Sequence, residues 1–114
     1  MIGGNITAQI QTRKTTKNAV GEFVSNWSRV TELQGYLDYI GGEASYTGHD
    51  SKIVESTHVF ICDFKKLPDG AKVNNSRLVA DGKIFDIKLI DNPMGLNKHL
   101  EIYLKYVGGD NSGI

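Results

Sequence analysis

Three histidines and one cysteine are the side chains best suited to move a proton, attack a carbonyl or hold a metal: His49, His58, His99 and Cys62. A working Cys–His pair needs its two groups within hydrogen-bond reach. On an extended strand His58 and Cys62 share a face, but Phe60 lies between them and the separation is roughly 13 Å. That is too far for proton exchange, so Cys62 reads as a small buried apolar residue. His49 and Asp50 adjoin as a base and an orienting carboxylate would, yet no nucleophile pattern accompanies them. The histidines also lack the close ligand spacing of a zinc site. Gly41-Gly42 and Gly108-Gly109 stand outside the strand–turn–helix setting of a phosphate loop and read as hinges or tails. No catalytic residue, cofactor or metal is expected, and the chain is not expected to be an enzyme.

Binding chemistry is the remaining class. Arg13, Lys14 and Lys17 cluster in the polar stretch 13–22, and Lys65-Lys66 follow an apolar strand. These five cations are candidate contacts to phosphates or to a protein partner. Trp27, Tyr36 and Tyr39 do not form the stacking platform that single-stranded nucleic acid requires, and core packing accounts for Trp27 more simply. Lys plus Arg number 13 and Asp plus Glu number 13, giving no net charge. A protein that coats DNA needs a surplus of cations to displace phosphate counterions, so the balance argues against that role.

The elements that must position these residues are strands. The 114 residues are read as one domain spanning 1–114, with 39% apolar and 23% charged residues. Leu100, Ile102, Leu104 and Tyr106 alternate with His99, Glu101, Tyr103 and Lys105, the period of a half-buried antiparallel strand. Phe85, Ile87 and Leu89 alternate in the same way with Ile84, Asp86, Lys88 and Ile90. Asp81-Gly82 tolerates the positive φ of a two-residue hairpin turn, so 77–91 reads as a hairpin. Asp91-Asn92-Pro93-Met94-Gly95 then turns the chain into the last strand. Upstream, Ile6, Ala8 and Ile10 mark a first strand and 13–22 a connection. A long extended stretch runs from Glu22 to about Ile40, with Leu33, Gly35, Leu37 and Tyr39 on one face. Thr57 to Phe64 has strong β propensity and is apolar on both faces. Five or six strands in this length favour a small β-barrel or a sandwich.

Segment 41–56 is unlike the rest. It places 16 residues between two strands, more than an ordinary connection, and such loops tend to be functional or disordered. Gly48 and the weak helix formers Thr47, Asp50 and Ser51 oppose a long helix, leaving room for a short one. It reads as a mobile excursion hinged at Gly41-Gly42 that orders against a partner. No apolar run approaches a membrane span. Met1-Ile2-Gly3-Gly4-Asn5 lacks the basic and apolar segments of a secretory signal, and one cysteine fits a reducing compartment.

The order of these elements resembles a known family. The resemblance rests on Gly35-Tyr36-Leu37-Asp38-Tyr39-Ile40-Gly41-Gly42-Glu43, then Thr57-His58-Val59, and above all Arg77 to Asp81 followed by Gly82-Lys83-Ile84-Phe85-Asp86-Ile87. Over about residues 5–107 the chain is similar to the head–tail joining, or head-closure (stopper), proteins of long-tailed double-stranded DNA phages and prophages. The resemblance implies an all-β fold: a small antiparallel β-barrel with a long flexible loop, long enough to hold a short helix, between the second and third main strands. It implies a structural virion protein at the head–tail junction, assembled in the bacterial host cytoplasm. Such a protein docks as a ring under the portal or its adaptor after packaging, retains the genome and offers a surface to the tail. The implied partners are those connector proteins, a tail-completion or tail-joining protein, further copies of the chain and the packaged DNA in the channel, with no membrane. The free protein is expected to be monomeric. Carried onto this sequence, the channel-closing loop is 41–56, with Gly41, Gly42, Tyr46, Gly48, His49, Asp50 and Lys52 swinging, lining or closing the passage. Residues 108–114 are expected to be a flexible tail. A tail-completion or tail-terminator protein at the same junction, or a free-standing nucleic-acid-binding barrel, is the competing expectation.

Overall fold

The computed structural model describes residues 3–40 and 56–109. Six antiparallel strands close into a barrel: β1 (Ile6–Lys17), β2 (Phe23–Tyr39), β3 (His58–Asp63), β4 (Ser76–Ala80), β5 (Lys83–Asp91) and β6 (His99–Gly108). Around the barrel the order is β1-β2-β3-β6-β5-β4, and β4 returns to pair with β1. No α-helix occurs among the described residues; single 3-10 turns cover Val73–Asn75 and Pro93–Gly95. The all-β barrel expectation holds, and the segment expected to be a long loop lies, but for Ser56, outside the described residues, between β2 and β3 in chain order.

Period-two alternation fills the barrel. Ala8 and Ile10 of β1, Leu33 of β2, Phe60 and Cys62 of β3, Leu78 and Ala80 of β4, Phe85 and Ile87 of β5, and Leu100, Ile102 and Leu104 of β6 form one buried cluster. Removing a side chain the size of Phe60 or Phe85 from water is worth about 2–3 kcal/mol each, which makes this shared interior the main source of stability. Gly35 is a packing requirement, because a Cβ there would strike the Ile61 carbonyl oxygen on β3 and crowd the Cys62 side chain. The β4–β5 turn is the one expected: Asp81 and Gly82 both have positive φ, 52° and 73°, matching the twist of the flanking strands.

Three expectations need correction. First, 13–22 is not a connection: β1 continues to Lys17, paired residue by residue with β2 from Trp27 back to Phe23. Only 18–22 turns the chain, with the Asn18 side chain accepting from Val20 and Glu22 N–H groups at 3.1 and 3.0 Å. Thr and Lys alternation carries no apolar period, so this strand is invisible until its partner is known. The first strand is accordingly 12 residues long rather than short. Second, Leu89 does not stay on the inward face. A bulge between Ile87 and Leu89 shifts the register, Ile90 pairs with Ile102, and Ile90 packs on the core in its place. Third, β6 runs through Gly108, so the expected tail loses its first residue to the sheet; 110–114 lie outside the described residues.

Candidate functional site

The antiparallel order sets two different structures at opposite ends of the barrel. One end is the root of loop 41–56, where β2 stops at Tyr39 opposite His58 of β3. The other is a projecting hairpin arm, where Lys17 faces Phe23.

At the root, the Ile40 N–H donates to the Thr57 carbonyl at 2.8 Å, so the intervening segment begins and ends at one point of the rim. Thr57 in turn donates its N–H to the Leu104 carbonyl at 2.7 Å. The Thr57 hydroxyl accepts the Tyr106 N–H at 2.9 Å and lies 2.8 Å from His58 Nδ1. The hydroxyl also lies 3.5 Å from the Leu104 carbonyl, so it can donate either to Nδ1 of a ring protonated on Nε2 or to that carbonyl while accepting from a protonated Nδ1. The His58 ring meets Phe85 and Tyr39 edge-on, with centroids 5.0 and 5.3 Å away. Burial, and next the nearby Lys83 ammonium, hold His58 below its ordinary pKa. Ser56 is wholly buried, so the last residue assigned to the loop is part of its anchor. Gly41, Gly42, Tyr46, Gly48, His49, Asp50 and Lys52, and with them the His49–Asp50 pair, lie outside the described residues.

In the arm, alternation separates the three cations that the sequence places together. Arg13 pairs with Trp27, Thr15 with Ser25 and Lys17 with Phe23 on one face, while Lys14 pairs with Asn26 on the other. The Lys17 ammonium lies 5.5 Å from the Phe23 ring centroid. Trp27 is not a core residue: it is half-buried outside the apolar cluster, with the Arg77 guanidinium 4.2 Å and the Arg13 guanidinium 5.8 Å from its ring. Arg77 was absent from the candidate residues, because only the β1–β4 pairing brings it to Gln11 and Trp27. Its Nε donates at 2.8 Å to Oε1 of Gln11, a fully buried amide that also donates to Gln9 at 3.2 Å. Burial lowers the Arg77 pKa, without removing the charge. Beside this stack lies a groove of about 400 Å³ between Arg13 and Trp27 on the arm, Val73 and Asn74 on the 3-10 turn, and Asp86 and Lys88 on β5.

Lys65 and Lys66 do not join the arm cations in one patch. Lys65 donates to the Glu32 carbonyl at 3.1 Å, on the flank of β2 where Arg29 and Glu32 form an exposed ion pair, and Lys66 is exposed. Cys62 is buried, and burial, with a smaller contribution from Asp63, pushes its thiol up to about 11. At that value the thiolate is scarce near neutrality, which makes the side chain a packing element rather than a nucleophile. Among the described residues no three His, Cys, Asp or Glu side chains gather to hold a metal ion. No described helix is long and apolar enough to cross a membrane.

No curated protein matches the chain in sequence. Comparison with known families does match it, over residues 5–105, to the one described as phage head completion protein. That span contains all of β1 to β5, the loop between β2 and β3, and β6 as far as Lys105. Its members are structural virion proteins that interact with other head and tail proteins at the head–tail junction. With a closed six-stranded β-barrel as its scaffold, the chain belongs to the phage head completion protein family.

Proposed function

We propose that the chain docks as a homo-oligomeric ring beneath the portal or adaptor once packaging ends, that its 41–56 loops close the channel over the genome, and that the ring then presents the surface to which the tail attaches. The observation that carries this reading is the loop root. An insertion of this length springs from one rim point, and hydrogen bonds from Ile40, Thr57 and Tyr106 fix that point. A rigid base lets copies in a ring present their loops at a common height, and symmetry repeats each weak loop contact around the axis. Gly41 and Gly42 supply the swing, and Tyr46, Gly48, His49, Asp50 and Lys52 line or close the passage. The zero net charge suits a channel through which DNA must later pass without being gripped. The family match, to head completion, favours the head side of the junction over a tail terminator.

Deletion of 44–52 tests the closure. Particles assembled with the shortened chain are expected to contain the protein yet lose DNA before tails join, read as nuclease-sensitive genome in purified heads. Normal DNA retention by such particles removes the loop from the closing role. The reading extends to the whole chain, 1–114, as a single connector domain.

A further inference from the structure

β4 pairs with β1 only from Ala8 to Thr12, and β5 with β4 only from Lys83 to Asp86. Before Ser76 the chain leaves the sheet through the 3-10 turn at Val73–Asn75, but β1 runs on for five residues, Arg13 to Lys17. Among the described residues no strand pairs with that side of β1, and the 400 Å³ groove opens where β4 would have continued. A free edge exposes N–H and C=O groups in alternation and is a template for another strand.

We propose that this edge and groove receive an extended, acidic segment of another polypeptide of the head–tail junction, which adds a strand to β1 from Arg13 to Lys17. The inference rests on the junction role of the family. Charge selects the occupant. Arg13 and Lys88 line the groove with a single carboxylate, Asp86, while Arg77 stands against its Trp27 wall and Lys17 lies further out along the arm; neither Arg13 nor Arg77 forms an ion pair with a carboxylate among the described residues. Two guanidiniums stand beside the Trp27 ring, and a guanidinium is a donor fork that matches a carboxylate, the Arg77 Nε being already given to Gln11. A second copy is a poor occupant, because antiparallel pairing of two such edges centred on Thr15 sets Arg13 of each copy opposite Lys17 of the other. DNA is a poor one too. A phosphate backbone answers the cations but has no donors for the strand's free carbonyls, whereas a peptide matches both. Val20 and Phe23, 77% and 75% exposed at the tip, give the incoming chain an apolar contact beyond the groove.

The test uses tailed particles assembled with the full chain carrying Thr15→p-benzoylphenylalanine, with Ser25→p-benzoylphenylalanine on the facing strand as the second probe. Irradiation is expected to link the arm to an acidic, extended segment of a different protein. Arg13→Glu combined with Lys17→Glu is expected to lower the yield about tenfold, the scale of losing charge-assisted hydrogen bonds. Linkage to DNA, linkage to a second copy, absence of any link from both positions, or an undiminished yield in the charge-reversed chain overturns the inference. The amount of chain per particle separates the two levels. Absence from the particle overturns the junction role and this inference with it, while a chain that is present but linked elsewhere overturns this inference alone.

Discussion

At the residue scale, some polar side chains find partners on strands far away in the chain, and others within a few residues of themselves. Arg77 illustrates the first kind: Gln11 lies 66 positions away in the chain, and Trp27 belongs to a third strand. Arg77→Ala leaves the buried Gln11 Oε1 without its donor and is expected to cost about 1–3 kcal/mol in urea unfolding. Trp27 is the single tryptophan, so its fluorescence is expected to report the loss of the guanidinium directly. His58 carries a pH signature of defined sign. Its folded pKa lies below the unfolded value of about 6.5, so the folded state binds its proton less readily. The stability it contributes is complete above the unfolded value and is lost as pH falls through the folded one. His58→Gln keeps an acceptor for Thr57 and cannot titrate. The difference in stability between the natural chain and this variant is therefore expected to shrink, in the variant's favour, as pH falls from 7 to 5 in parallel urea titrations. A constant difference would mean the imidazole charges freely in the barrel.

At the element scale, the β1–β2 hairpin has two energetic regimes. Its inner half, Ile6 to Thr12 against Leu33 and its neighbours, is barrel wall. Its outer half contributes no residue to the buried cluster, and Val20 and Phe23 are open to solvent. Replacing 16–24 with an Asn-Gly turn is expected to change stability by only about 0.5 kcal/mol, as surface changes do, and to leave a barrel-type circular dichroism spectrum. The β4–β5 turn behaves in the opposite way. Gly82 sits at φ 73°, and Gly82→Val is expected to cost about 1–2 kcal/mol because a β-branched residue is strained in that region. The Asp81-Gly82 corner is legible in the sequence, whereas only the β1–β2 pairing reduces the expected 13–22 connection to a short tip at 18–22.

At the scale of the whole molecule, the barrel has two unlike ends, one where β2 hands over to segment 41–55 and one that carries the β1–β2 arm. Among the described residues the cations lie on separate flanks and form no continuous track for a duplex. Light scattering of the purified chain is expected to give a monomer near 12.6 kDa, and a short DNA duplex is expected to bind only at low salt. A stable ring without partners would contradict assembly on the connector platform.

What the sequence by itself determined is whatever a period of two and a turn can encode within a few residues. Alternation at Ala8 and Ile10, at Phe85 and Ile87, and from Leu100 to Leu104 marked the walls of the barrel, and Asp81-Gly82 marked its hairpin. The same local rules placed Cys62 in the interior. Tertiary structure alone decided the rest. The bulge after Ile87 exchanged Leu89 for Ile90, since register depends on a neighbouring strand. The outer half of β1 became a strand because β2 pairs with it, although its Thr and Lys residues carry no apolar signal. The Arg13–Trp27–Arg77 stack and its groove exist only because β4 closes the barrel on β1 and then turns away, bringing together side chains that no short stretch of sequence holds in common.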